Sequence, residues 1–189
     1  MMRRSLWIAS GVAVVVVMAG LLVYGSYISA QYQMEALQMS SREQWLQLDG
    51  ALRRWAGMAP EMEAAVAPAA KGNQVALDTL RSARKTLLEA RDSKAVAEAS
   101  RGLDEALNAG MAIGMSDPQV KSDGKFQALC SRIRKLQIRI EQDRERYNDS
   151  LRNYDLFLGE FPNGIWAKIA GYEVDRGFFP KFWGESQGA

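Results

Sequence analysis

Three observations predict an all-α protein in which an N-terminal transmembrane helix continues into an antiparallel bundle of long helices. The first is an uncharged run from Leu6 to Tyr27, about 22 residues, where roughly 20 suffice to cross a bilayer. The second is a series of long stretches in which apolar residues recur every three or four positions, the period of a helix buried along one side. The third is that no alternating strand pattern competes anywhere. These place an anchor over residues 1–30, a helical bundle over 31–162, and an aromatic C-terminal segment with a short helix over 163–189.

No charged residue separates Arg4 from Glu35. Leu6, Trp7, Val14, Val17, Leu21, Leu22, Tyr24 and Tyr27 are the expected membrane-spanning residues, with Trp7, Tyr24 and Tyr27 near the ends, where amphipathic rings favour the membrane interface. A cleaved signal peptide is the alternative, with Ile28-Ser29-Ala30 as its cleavage site. The apolar run exceeds the roughly 7–15 residues of a signal core, which favours a retained anchor. No cysteine stands directly after the span, so a lipoprotein is excluded. Arg3 and Arg4 precede it, and the next cation beyond it is Arg42. Flanking positive charge thus predicts a cytoplasmic N-terminus in a bacterial inner membrane, with the body on the periplasmic side.

After the anchor and its flank, enough chain remains for one modest domain. The formal charge of +2 resides in Arg3 and Arg4; without them, 22 cations balance 22 anions. The body therefore has no global field to steer a polyanion, and nucleic acid is not an expected partner. Cys130 is the single cysteine and histidine is absent. That removes a disulfide framework, a cysteine metal cluster, the commonest metal ligand and the commonest general base.

Beyond Tyr27 no turn signal appears before Gly50, so the membrane helix is expected to continue into a soluble one. Its buried stripe is Met34, Leu37, Ser41, Trp45, Leu48, Leu52, Trp55 and Ala59. Asp49 and Arg53 form a four-residue pair beside it. Gly57 and Pro60 predict a kink or stop, and Pro68 with Gly72-Asn73 an end. A second helix follows over 74–90 on Leu77, Leu80, Ala83, Leu87 and Ala90. Asp92-Ser93 can cap a third, from Lys94 to about Ile113, after which Gly110, Gly114 and Ser116-Asp117-Pro118 are expected to turn the chain. Ser122-Asp123 opens a long helix with the seam Phe126, Leu129, Ile133, Leu136, Ile140, Asp143, Tyr147, Leu151, Tyr154 and Leu158, about 55 Å at 1.5 Å per residue. Asp143 is its one polar break. Gly159 and Phe161-Pro162-Asn163-Gly164 end it, and Ile165 to Gly171 can form a last short helix.

Two stretches resemble the LemA family of bacterial membrane-anchored helical proteins. Trp45, Gln47, Asp49, Arg53 and Arg54 with Pro60 resemble its W-x-Q-[IL]-D-x-x-L-[KR]-R…[LM]-x-P segment. Arg144, Arg146, Tyr147, Asn148 and Asp149, with Tyr154, Phe161, Pro162 and Gly171-Tyr172, resemble its R-x-R-Y-N-D…Y-N…F-P…G-[FY] close. The likeness covers most of the chain and is weakest between Ala64 and Lys94. Ahead of Arg139 the family tends to be acidic, whereas this chain carries Arg132, Arg134 and Lys135. The resemblance implies long antiparallel helices behind a membrane helix and no established enzyme activity. By analogy with branches that shape bacterial internal membranes, it implies a scaffold role.

Each cluster of reactive residues has a plainer alternative. Glu61 with Glu63, Asp104 with Glu105, and Glu141 with Asp143 could do acid–base work, but neighbours one or two apart on a helix do not face each other, and solvated surface is the expectation. Met58 with Met62 and Met111 with Met115 fit core filling better than copper binding. Cys130, near Arg132 and Arg134, could have a lowered pKa; a buried structural cysteine is favoured. Arg132, Lys135 and Arg139 share a helical stripe with Arg146 that could meet anionic lipid or an acidic partner. Pairing with Glu98, Asp104 or Glu105 of a neighbouring helix is the plainer expectation. The tail from Tyr154 to Trp183 holds 9 of the 17 aromatic residues, more than one bundle end can cover. Trp166, Phe178, Phe179, Phe182 and Trp183 are therefore candidate contact residues for another copy or the bilayer, with an end-cap as the alternative.

The combined expectation is a non-enzymatic, homo-oligomeric scaffold at a bacterial membrane. It has no catalytic residue, cofactor or metal, and its partners are lipid bilayer and further copies of itself. The alternative is a periplasmic accessory or sensing module that binds and regulates a separate membrane protein.

Overall fold

The computed structural model describes residues 2–70 and 74–172, with side chains from residue 11 onward except residue 12. Expectations for Leu6, Trp7, Gly72-Asn73, Phe178, Phe179, Phe182 and Trp183 therefore lie outside what is described. Among the described residues the elements are α1 (Met2–Ala56), α2 (Ala59–Val66), α3 (Gln74–Glu89), α4 (Ser93–Ser116), α5 (Pro118–Ser122), α6 (Gly124–Gly159) and α7 (Asn163–Ala170), without a strand. The all-α expectation holds. The described residues fall into two compact units. One combines those up to Ser41 with those from Arg152, and the other is Arg42–Leu151.

In the second unit, α1 ends where glycine and proline predict it. The Gly57 N–H donates to the Arg53 carbonyl at 3.1 Å and the Met58 N–H to that of Trp55 at 2.9 Å, and α2 restarts the chain at Ala59. Pro60 falls in the first turn of α2, where a missing N–H removes no helical bond. Asp92 caps α4, its carboxylate accepting from the Ala95 N–H at 2.8 Å.

Gly110 and Gly114 do not turn the chain, contrary to expectation; α4 runs through both to Ser116. Their role is close packing. A methyl at Gly114 would lie 2.3 Å from Phe126 Cζ, and one at Gly110 3.0 Å from Met62 Cγ. The turn comes at Ser116-Asp117-Pro118, the other part of that expectation; the Asp117 side chain accepts from the Gln119 and Val120 N–H groups and opens α5, a helix the periodicity did not indicate.

The seam of α6 lies in the core as spaced, with Phe126, Leu129, Ile133, Ile140, Tyr147 and Leu151 buried against Leu48, Leu52, Leu80, Leu103 and Leu107. Met62 and Met111 are core filler; Met115 is exposed. The Trp45 ring meets Tyr147, and Trp55 shares a cavity with Ile140 and Arg144, so α1 and α6 run antiparallel here. The same holds for α4 and α6, since Gln137 bonds Asp104 whereas Phe126 abuts Gly114.

In the first unit, large apolar residues of α1 from Val14 to Tyr24 are 54–73% exposed. Ala30 and Met34 are buried with Tyr154, Leu158 and Ala167, which fixes α7 beside α1 and the end of α6. Gly171 closes α7 at φ +77°, and the next N–H, that of Tyr172, donates to the Ala167 carbonyl at 2.9 Å. Only glycine adopts that left-handed cap without steric cost.

Candidate functional site

Three charged residues of the second unit, Asp104, Glu141 and Arg144, converge on a node, and the sequence reading placed its two carboxylates at the surface. Arg144 follows Ile140 by four and precedes Tyr147 by three, so helical spacing turns it inward, and it is only 2% exposed. Its Nη1 donates to Glu141 Oε2 at 3.0 Å. On α4, Asp104 accepts from Gln137 Nε2 at 2.7 Å and from Asn108 Nδ2 at 3.0 Å. Burial raises the Asp104 carboxyl above the ordinary range, against the pull of the two amide donors and of Arg144. Burial likewise lowers the Arg144 guanidinium, which Glu141 and Asp104 oppose. Both groups are thus desolvated partners, and the expectation of a solvated Asp104 is corrected.

Buried Trp55 has an indole N–H with no hydrogen-bond partner, and it lines a cavity with Leu52, Ser100, Asp104, Gln137, Ile140, Glu141 and Arg144. The space, about 10 Å³, is near the minimum for one water. It is too small for an organic substrate. The node can tie α4 to α6 in a fixed register, which is the best-attested use of buried charge. Among the described residues no group of three or more acidic or cysteine side chains is placed to hold a metal ion.

The basic stripe is largely met by carboxylates, though not by those expected. Arg132 Nη2 pairs with Glu61 Oε2 of α2 at 2.8 Å. Arg146 Nη1 and Arg139 Nε reach Asp143 at 3.0 and 3.7 Å, one buried carboxylate facing two exposed cations. Glu98 and Glu105 have no such role; the geometry substitutes Glu61 and the seam's own Asp143. Lys135 is exposed. Cys130 is a buried free thiol, and burial raises its pKa more than Arg134 lowers it, so the plainer expectation for it holds.

In the first unit Trp166 is half-buried. Its Nε1 donates to Ser26 Oγ at 3.3 Å, and its ring packs edge-on against Tyr27 with centroids 5.5 Å apart. Phe161, three residues before Gly164, stands fully out from the surface.

The two motif stretches lie about a hundred residues apart, yet they meet. Trp45 and Tyr147 meet in a tilted ring contact with centroids 5.4 Å apart at 50°. Asp49 and Arg53 pair at 2.7 Å, and Arg54 Nε donates to the Gly50 carbonyl at 3.0 Å. Gln47 and Pro60 are exposed, Asn148 half-buried and Asp149 exposed, whereas Tyr154 is buried and Pro162 precedes α7. A profile of the LemA family matches residues 44–181, well over half of the chain. The chain belongs to the LemA family. Comparison with characterised proteins gives no significant match. Within this LemA chain the motif aromatics Trp45, Tyr147 and Tyr154 are core and packing residues whereas Phe161 is exposed, and the arginines are bonded on the surface or, at Arg144, inside it.

Proposed function

We propose that this LemA-family protein is a non-enzymatic, membrane-anchored scaffold that self-associates at the bacterial inner membrane. The observation that carries the reading is the apolar helix left uncovered by the rest of its unit. Its 18-residue window has a mean hydropathy of 2.0 and is 6% buried, and lipid is the solvent in which such an all-round apolar face is stable. Arg3 and Arg4 favour a cytoplasmic N-terminus and a periplasmic body. Self-association is supported by large apolar side chains left exposed on the body, Leu46, Val75 and Ile138 among them, and by the aromatic residues of the C-terminal segment.

Mass photometry and electron microscopy of detergent-solubilised protein test this. Rings, cones or filaments of many copies are expected; a species of one chain at all concentrations refutes the scaffold. Serine at Phe178, Phe179, Phe182 and Trp183 together should dissolve the assembly while leaving helix content unchanged. A second reading, an accessory module that regulates a separate membrane protein, is favoured by an open groove of about 430 Å³ in the first unit. It is lined by Gln33, Ala36, Leu37, Asn153, Leu156, Phe157 and Glu160. Stoichiometric capture of one unrelated membrane protein, without self-association, would select it.

A further inference from the structure

The uncovered residues of α7 form a stripe with a definite place along the chain. Ile165 and Ile169 are spaced by four, so they project from one side of α7, and Phe161 stands exposed in the turn before it. Phe161, Ile165 and Ile169 are 85%, 49% and 65% exposed, respectively. The opposite side of the helix is occupied. Ala167 is buried with Ala30, Met34, Tyr154 and Leu158, and Trp166 is held by Ser26 and Tyr27. A short helix in water would not ordinarily turn both of its isoleucines outward beside an exposed phenylalanine in the turn before it.

The anchoring partners of α7 say what covers that stripe. Ser26 and Tyr27 are the last residues of the uncharged run that begins at Leu6. A helix of about 22 residues rises about 33 Å, against a hydrocarbon core of about 30 Å, so Tyr27 falls at its edge. Beyond that edge the headgroup layer is about 5–7 Å deep, or about four residues of helix. Residues 26–30, on which α7 is packed, span that layer. We propose that α7 is an interfacial helix, with Phe161, Ile165 and Ile169 seated in the lipid at the headgroup–acyl boundary. This rests on the membrane-anchored reading and adds a second, in-plane contact to the span. Trp166 presents its indole at the depth where such rings concentrate, and exposed Lys168 sits one residue from the stripe, within reach of phosphates. The anchor is then a spanning helix with an in-plane foot, which resists tilting of the helices that emerge from the membrane.

The test uses the full chain with Cys130→Ala and one added cysteine, Ile165→Cys, Ile169→Cys or Val17→Cys, each labelled with a small fluorophore. The proteins are reconstituted in phosphatidylethanolamine–phosphatidylglycerol vesicles carrying spin-labelled lipid quenchers, placed either just below the headgroup or deep in the acyl chain. Circular dichroism verifies that each variant keeps its helix content. The shallow quencher should remove most of the emission at 165 and 169 and the deep quencher little, with the reverse order at 17. Quenching at 17 without quenching at 165 and 169 overturns the interfacial helix and leaves the anchor standing. Blue-shifted but unquenched emission at 165 and 169 means that another copy covers the stripe and likewise overturns the proposal. No quenching at 17 removes the anchor itself, and the proposal with it.

Discussion

Gly102, Gly110 and Gly114 lie on one helix, and one substitution should give three different outcomes. Alanine in place of a helical glycine gains about 1 kcal/mol in helix propensity. At Gly102 nothing lies within 4 Å of the new methyl, so that gain is kept. At Gly114 the methyl would sit 2.3 Å from Phe126 Cζ and 2.5 Å from Cε2, where carbons in contact prefer about 3.5–4.0 Å. Phe126 is fully buried, and its ring cannot retreat without displacing the α6 seam. Overpacking costs about 1–3 kcal/mol, and a clash with a rigid buried ring lies at the upper end. The net effect of Gly114→Ala is a loss of about 1–2 kcal/mol. For a chain of this length about 1 kcal/mol moves the melting temperature by roughly 2–4 °C. Melts followed by circular dichroism in one detergent should therefore show Gly102→Ala higher by about 2–4 °C and Gly114→Ala lower by about 2–8 °C. Gly110→Ala should fall near zero, because the atom it meets at 3.0 Å belongs to the flexible Met62 side chain. Adding Phe126→Leu to Gly114→Ala should cost less than it does in the wild type. A Gly114→Ala protein that melts at or above the wild type, with Gly102→Ala raised, would refute the packing of α4 on α6 argued above.

The buried polar node supplies the other predictions. Burial raises the Asp104 carboxyl above 3.8, so its contribution to stability is fully present below the unfolded value and is lost as pH rises through the higher folded one. The urea midpoint of the wild type relative to Asp104→Asn should increase as pH falls from about 7 to about 4; a difference independent of pH would show that Asp104 is solvated. Arg144→Ala strands the partly buried Glu141 and Asp104 without their cation, and unfolding in urea should register a loss of about 3 kcal/mol, the low end for a broken buried pair. Arg146→Ala, which removes an exposed partner of Asp143, should cost at most about 1 kcal/mol. Cys130 should resist a maleimide at neutral pH in the folded protein and react within the mixing time in urea; rapid labelling of the native chain would place the thiol at the surface.

The long helices and the α6 seam were legible because burial on one side leaves a period of three to four in the apolar residues, and ten seam positions spaced that way sit inward or half-inward. The node was not legible, because a charge reads as exposed unless its spacing is compared with the residues around it. Asp104 follows Ser100 by four and precedes Leu107 by three, and Arg144 bears the same relation to Ile140 and Tyr147. That spacing was the available signal. Gly110 and Gly114 were misread because a sequence does not separate a glycine that frees the backbone from one that makes room for a ring. The partner of Arg132 was missed because Glu61 is 71 residues away on α2, a separation no periodicity reports.

Apolar residues occur in α1 under two regimes, and the contrast bears on what surrounds the first. From Met34 to Trp55 most of them form one stripe, buried at Met34, Leu48, Leu52 and Trp55, with Arg42, Gln47 and Arg53 outward and only Met39 and Leu46 among the large ones exposed off it. From Val14 to Tyr24 they occupy every side, and all the large ones are exposed. A single stripe is what a helix needs when a protein core covers one side and water the other. An all-round apolar surface has no polar side to give to water, so a core-packing account of the first stretch would have to bury all of it. The proposed anchor accounts for the difference: hydrocarbon on every side suits the first stretch as a protein core and water suit the second. The aromatic and hydroxyl side chains at Tyr24, Ser26 and Tyr27, where one pattern gives way to the other, suit the boundary between those two solvents.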